Sequence, residues 1–105
     1  SDREGALGRL MNNETLLAHL ESIFLRDTPN DMETLRQTLK SGNMEGLVIA
    51  SHTIKGTAAT VGAKRASSLA KDMEQAARAG EKEQAENLLA PLEDEIQYVM
   101  KELAE

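Results

Sequence analysis

The chain has no cysteine and no tryptophan, and only one phenylalanine, one tyrosine and two prolines in 105 residues. Without cysteine there is no disulfide framework and no thiolate metal site, which is compatible with a reducing compartment and leads to the expectation of a cytoplasmic protein. Aromatic residues make up 2% of the chain, and its apolar residues are mostly Leu, Ala, Met, Ile and Val. That balance disfavours a sheet and suits helices. No apolar run approaches the roughly 20 residues needed to cross a bilayer. Ser1 to Gly8 is polar and charged, unlike a secretory leader, and the missing initiating Met leads us to expect an excised domain or a processed chain. Basic residues are short too: 12 against 18 acidic, a net charge of −6. That argues against nucleic acid or an anionic membrane as partner. At this length one domain, residues 1–105, is expected.

The apolar residues that are present repeat with helical spacing. Ser1 to Glu4 reads as loose, and Ala6, Leu7, Leu10 and Met11 as a short helix closing one end of a bundle. Asn12 and Asn13 can cap the next helix, with Glu14 in its first turn. The first long helix is expected from about Asn13 to Lys40, on a stripe of Leu16 or Leu17, Leu20, Phe24, Met32, Leu35 and Leu39. Pro29 either kinks it or splits it at Thr28. The stripe resumes in phase beyond the proline, which favours a kink. Gly42 can end this helix in a left-handed conformation, and Asn43 can cap the second long helix.

That second helix is expected from about Met44 to Val61, ended by Gly62. A third runs from about Ala63 to Ala79, with Ala66, Leu69, Ala70, Met73, Ala76 and Ala77 inward, ended by Gly80. The fourth, about Lys82 to Ala104, has Ala85, Leu88, Leu89, Leu92, Ile96, Val99 and Leu103 in phase. Pro91 should bend it or break its first turns. Connections of a few residues make successive helices antiparallel neighbours, so the expected fold is all-α: an up-down-up-down four-helix bundle with a short extra N-terminal helix.

The informative stretch is Leu47 to Gly62. Leu47, Ser51, Ile54, Ala58 and Val61 form its core stripe. His52 is off that stripe, about 200° from Ile54 at 100° per residue, and points away from the core line. Near it are Val48, Ile49, Lys55, Gly56 and Ala59. Glycine inside a helix costs roughly 1 kcal/mol against alanine, so Gly56 implies close approach at that spot. Counting ten residues either side of the turn at Gly62 brings residue 72 level with His52, and Lys71, Asp72 and Glu74 within about a turn of it.

These residue types suit a nucleophilic imidazole. Imidazole has a reference pKa of about 6.5, so a large share is neutral near pH 7. Its Nε2 can attack an electrophile while a carboxylate, Glu74 if it faces the ring, accepts Nδ1–H and fixes the tautomer. Lys55 can neutralise an oxyanion carried on the ring. Gly56 and Ala59 keep the surface low enough for another protein's active site to reach the nitrogen. A phosphoryl group is the natural cargo, because its transfer needs positioning and charge neutralisation more than covalent machinery.

The run His52-Thr53-Ile54-Lys55-Gly56-Thr57-Ala58-Ala59, then Val61-Gly62-Ala63, resembles the H-x-[LI]-K-G-[ST]-[AS] signature of histidine-containing phosphotransfer (HPt) domains, with Ser51 where many members have Ala. The similarity extends to Leu20, Phe24, Leu25, Asp27 and Pro29 on one side. On the other it takes in Leu69, Met73, Glu74 and Ala77 to Gly80. The resemblance implies a four-helix bundle whose histidine takes a phosphoryl group from a receiver-domain aspartate and passes it to another receiver in two-component signalling. On it, His52 is the phosphoacceptor, Lys55 the supporting lysine, Gly56 the small residue that gives access to the ring, and Glu74 stands where members use Gln or Glu to orient the histidine. It further implies a monomeric carrier, in a hybrid histidine kinase or alone, at the cytoplasmic end of a membrane-bound sensor if part of one. No cofactor is expected in the domain itself, and any Mg²⁺ belongs to the partner's receiver pocket.

Other readings stay open. A GxxxxGK[ST] phosphate loop is absent, so the chain has no ATP site of that kind. The dimerising histidine domain of a sensor kinase is also helical, but there an acidic residue typically follows the histidine, where this chain has Thr53. A structural adaptor with no phosphotransfer would tolerate loss of His52. Hydrolytic or metal catalysis has little support: His19 is the only other histidine, and HExxH and GxSxG are absent. Lys64, Arg65 and Lys71 make a basic edge that is either an ordinary charged surface or a patch steering toward an acidic receiver.

Overall fold

A computed structural model describes residues 2–105. The described residues form five helices and no strand: α1 Arg3–Arg9, α2 Glu14–Ser41, α3 Met44–Thr60, α4 Lys64–Arg78 and α5 Lys82–Ala104. α2 packs on α3, α3 on α4, α4 on α5, and α5 closes back on α2, with α1 lying against α2. The ring encloses the apolar stripes expected from the spacing. Phe24, Met32, Leu35 and Leu39 from α2 meet Leu47, Ile54 and Ala58 from α3, while Met73 and Leu92 come in from α4 and α5.

The long helices stop where the expected signals stand. Asn13 Oδ1 accepts the Leu16 N–H and Asn43 Oδ1 accepts the Gly46 N–H, each at 2.9 Å. Gly42, Gly62 and Gly80 all sit at positive φ. Gly62 is the most constrained. Its φ is +78°, and a Cβ there would collide with the Asp2 carbonyl oxygen. Its own carbonyl accepts the Asp2 N–H at 2.6 Å. A side chain at residue 62 would therefore break both the turn and the seat of α1.

Several expectations need correction. Of the two outcomes weighed at each proline, the break is ruled out: α2 runs on through Pro29, as the in-phase stripe predicts, and α5 runs through Pro91. Both prolines are exposed, and on a wet face the carbonyl that loses its amide partner can be hydrated while packing continues on the other side. Arg3 and Glu4 are helical rather than loose, because Asp2 caps α1 through the Gly5 N–H and pairs with Lys64 at 2.6 Å. Ser1 lies outside the described residues. Met11 is 90% exposed and at positive φ, a turn residue rather than part of the closing helix. Leu17, not Leu16, carries the α2 stripe. Ser51 is fully buried, and its hydroxyl is satisfied by donating to the Leu47 carbonyl at 2.6 Å. No helix among the described residues is long and apolar enough to cross a membrane.

Candidate functional site

α3 and α4 present the site. Ser51 and Ile54 turn one side of α3 into the core, which leaves His52 on the outside with 64% of its side chain exposed. On α4, Ala66, Ala70, Met73 and Ala77 are buried, and Glu74, next to Met73, falls at the edge of that stripe, facing α3. Its side chain is only 6% exposed. The α4 residues that meet α3 run in reverse order: Ser67 donates to the Lys55 carbonyl at 2.9 Å, and Glu74 meets His52.

Glu74 is the hub. Its Oε2 lies 3.1 Å from His52 Nδ1 and accepts from Arg78 Nη2 at 2.8 Å. Its Oε1 is 2.7 Å from Lys55 Nζ. One buried carboxylate thus holds two permanent cations and one face of an imidazole. The Lys55 hydrogen bond does most to favour the ionised carboxyl, helped by Arg78 and His52; together they outweigh burial and hold its pKa at about 2. At neutral pH Glu74 is therefore an anion that can only accept. A neutral His52 facing it is held in the tautomer with hydrogen on Nδ1, which leaves the lone pair on Nε2, the other ring nitrogen.

All four residues singled out in the sequence lie in this region. His52, Lys55 and Glu74 are joined by contacts of hydrogen-bond length. Gly56 follows Lys55 on the exposed surface of α3, and a Cβ added there would meet nothing within 4 Å. An added methyl group would stand in open space, so packing within the chain does not require the glycine. Arg78 is the residue that sequence reasoning missed. The available signal was its position one turn after Glu74, where an i, i+4 pair forms. His19 is exposed on α2, and no cluster of metal-binding residues occurs among the described residues.

The family model for the Hpt domain matches residues 19–102. The chain belongs to the Hpt family. Hpt membership implies histidine phosphotransfer within a phosphorelay and interaction with receiver domains. The match begins within α2 and leaves out α1. Neither a curated protein nor a solved structure gives a match.

Proposed function

We propose that His52 is the phosphoacceptor of this Hpt domain, taking a phosphoryl group from the aspartyl phosphate of one receiver and giving it to the aspartate of another. The observation that carries the reading is the exposed imidazole whose Nδ1 faces a buried, ionised carboxylate.

In the forward step the Nε2 lone pair attacks phosphorus. The N–P bond forms as the P–O bond to the aspartyl carboxylate breaks, and the electron pair leaves with the carboxylate. No proton has to move. The ring keeps Nδ1–H and gains positive charge, which the Glu74 anion beside it balances. Lys55, within reach of the same face, neutralises the phosphoryl oxygens, and Arg78 remains on Glu74 when Lys55 turns toward the phosphate. Gly56 leaves room for the receiver's loops over the ring. Running the same steps backward delivers the phosphoryl group to the next receiver.

The same reading extends to the whole chain. The four long helices form an up-down-up-down antiparallel bundle, and residues 1–105 are one domain. A ring of helices closed within one chain favours a monomeric carrier over a dimerising kinase domain. The domain needs no cofactor of its own, Mg²⁺ being held by the receiver, and it works in the cytoplasm, as the terminal module of a hybrid histidine kinase or alone.

The test is transfer from a phosphorylated receiver to the chain, with His52→Gln alongside. Acid-labile, base-stable label on the native chain and none on the variant is the expected result. No label on either, across a panel of receivers, would leave a helical adaptor as the better reading.

A further inference from the structure

Beside the His52 site lies a shallow depression of about 500 Å³ walled by four cations, Arg9, Lys55, Lys64 and Lys71, around Ser67 and Ser68. They come from α1, α3 and α4. Arg9 is brought there by the fold: its Nη2 donates to the Ala59 carbonyl at 3.0 Å, one turn beyond Lys55. The seat of α1 on Gly62 and the Asp2–Lys64 pair hold it in place. Two of the cations are compensated, Lys64 by Asp2 and Lys55 by Glu74. Arg9 and Lys71 form no ion pair among the described residues. The depression therefore carries a surplus of about two positive charges on a chain whose net charge is −6.

We propose that this depression is a docking patch for the acidic rim around the phosphorylated aspartate of a receiver, with Arg9 and Lys71 as its working charges. The proposal rests on the phosphocarrier reading of His52. A receiver that holds Mg²⁺ beside its aspartyl phosphate needs further carboxylates for that cation, so its approaching surface is anionic. A standard interface covers about 800 Å² on each partner. Lys55 is one turn from His52 and forms a wall of the depression, so a receiver centred on the imidazole overlies both. Without local positive charge, an acidic carrier and an acidic receiver pocket repel each other at the encounter stage. Arg9 lies outside the region matched by the family model, and Lys71 lies within it.

The experiment is steady-state transfer from a phosphorylated receiver that labels the native chain, over a range of salt concentrations, with Arg9→Ala/Lys71→Ala and the charge-keeping Arg9→Lys/Lys71→Arg. The alanine pair should raise the receiver concentration for half-maximal rate about tenfold at low salt, leave the maximal rate unchanged and flatten the salt dependence. The charge-keeping pair should restore most of the native behaviour. Phosphoramidate, a small donor with no surface to dock, should label the native chain and both variants equally. Unchanged half-saturation and salt slope in the alanine pair would overturn the proposal. An equal loss with phosphoramidate would also overturn it, by showing that the charges act on the chemistry and not on docking. If the native chain takes no label from any receiver, or His52→Gln keeps its label, the phosphocarrier reading itself fails and the docking proposal falls with it. Circular dichroism of each variant separates these outcomes from loss of fold.

Discussion

α3 and α4 bury many small side chains where α2 and α5 bury mostly large ones, and the contrast shows how the site is held. α4 buries Ala66, Ala70, Ala76 and Ala77 beside Met73 and Glu74, and α3 buries Ala50, Ser51 and Ala58 beside Leu47 and Ile54. Small side chains let helix backbones come close, and the most extensive helix packing in the molecule is α3 on α4. Across such a seam a glutamate can reach a histidine ring and a lysine on the neighbouring helix. α2 and α5 bury mostly larger groups: Phe24, Met32, Leu35 and Leu39 on α2, and Leu92, Ile96 and Val99 beside Ala85 on α5. Their polar link is a surface pair, Arg36 to Glu93. One seam positions charges, while the other supplies apolar burial.

The sharpest way to break this contrast is a pair of core substitutions. Leu92→Ala should cost about 2–5 kcal/mol in denaturant unfolding but leave the folded fraction active in transfer, since Leu92 is on α5 while His52 and its partners are on α3 and α4. Ala70→Leu overpacks the other seam and should cost about 1–3 kcal/mol, while also slowing transfer by displacing Glu74 from the ring. Equal transfer in the two variants would remove the distinction between the seams.

Glu74→Ala comes next. It takes the acceptor from Nδ1 and leaves Lys55 and Arg78 without their anion, and transfer should fall by about 10- to 100-fold, the scale seen when the group orienting a histidine is lost. Glu74→Gln keeps an oxygen for Nδ1–H and should fall less. Gly56→Ala separates stability from access. A helical alanine in open space should stabilise the fold by up to about 1 kcal/mol, yet slow transfer because the methyl group stands where the receiver must come down. A variant that is both more stable and fully active would mean that Gly56 is merely tolerated.

The smallest effect is on acid stability. Glu74 is held at about 2 in the folded chain, below its ordinary value of 4.5. A depressed carboxyl stabilises the fold fully above 4.5, and that contribution is lost as pH falls from about 4.5 toward 2. Unfolding measured through that window should lose part of its pH dependence in Glu74→Gln. An identical profile would mean that the three contacts on the carboxylate contribute nothing to folding.

Much of this was legible in the sequence because it is local. The glycines at 42, 62 and 80, the caps at Asn13 and Asn43 and the spacing of Leu47, Ser51, Ile54 and Ala58 are signals within one or two turns. α5 runs from Lys82 to Ala104, as its periodicity predicts. At Pro29 the in-phase stripe pointed to a helix that continues, and it does; that both prolines lie on an exposed face is not written in the sequence. The site was half legible. Counting from the turn put Glu74 within a turn of His52 and offered the contact to Nδ1 if Glu74 faced the ring, but not its burial or its contacts with Lys55 and Arg78. The anchoring of α1 on Gly62 and of Arg9 on Ala59 joins residues far apart in the chain, with no periodic pattern to announce it.

The most direct test of the central claim is to find which ring nitrogen carries the phosphorus. Nitrogen-15 and phosphorus-31 NMR of the phosphorylated domain, with His52 the only residue lost in a parallel His52→Gln sample, reads the N–P bond itself. With Nδ1 turned toward Glu74, the phosphoryl group should be on Nε2 of His52 alone. Phosphorus on Nδ1, or on any residue that survives in His52→Gln, would contradict the account.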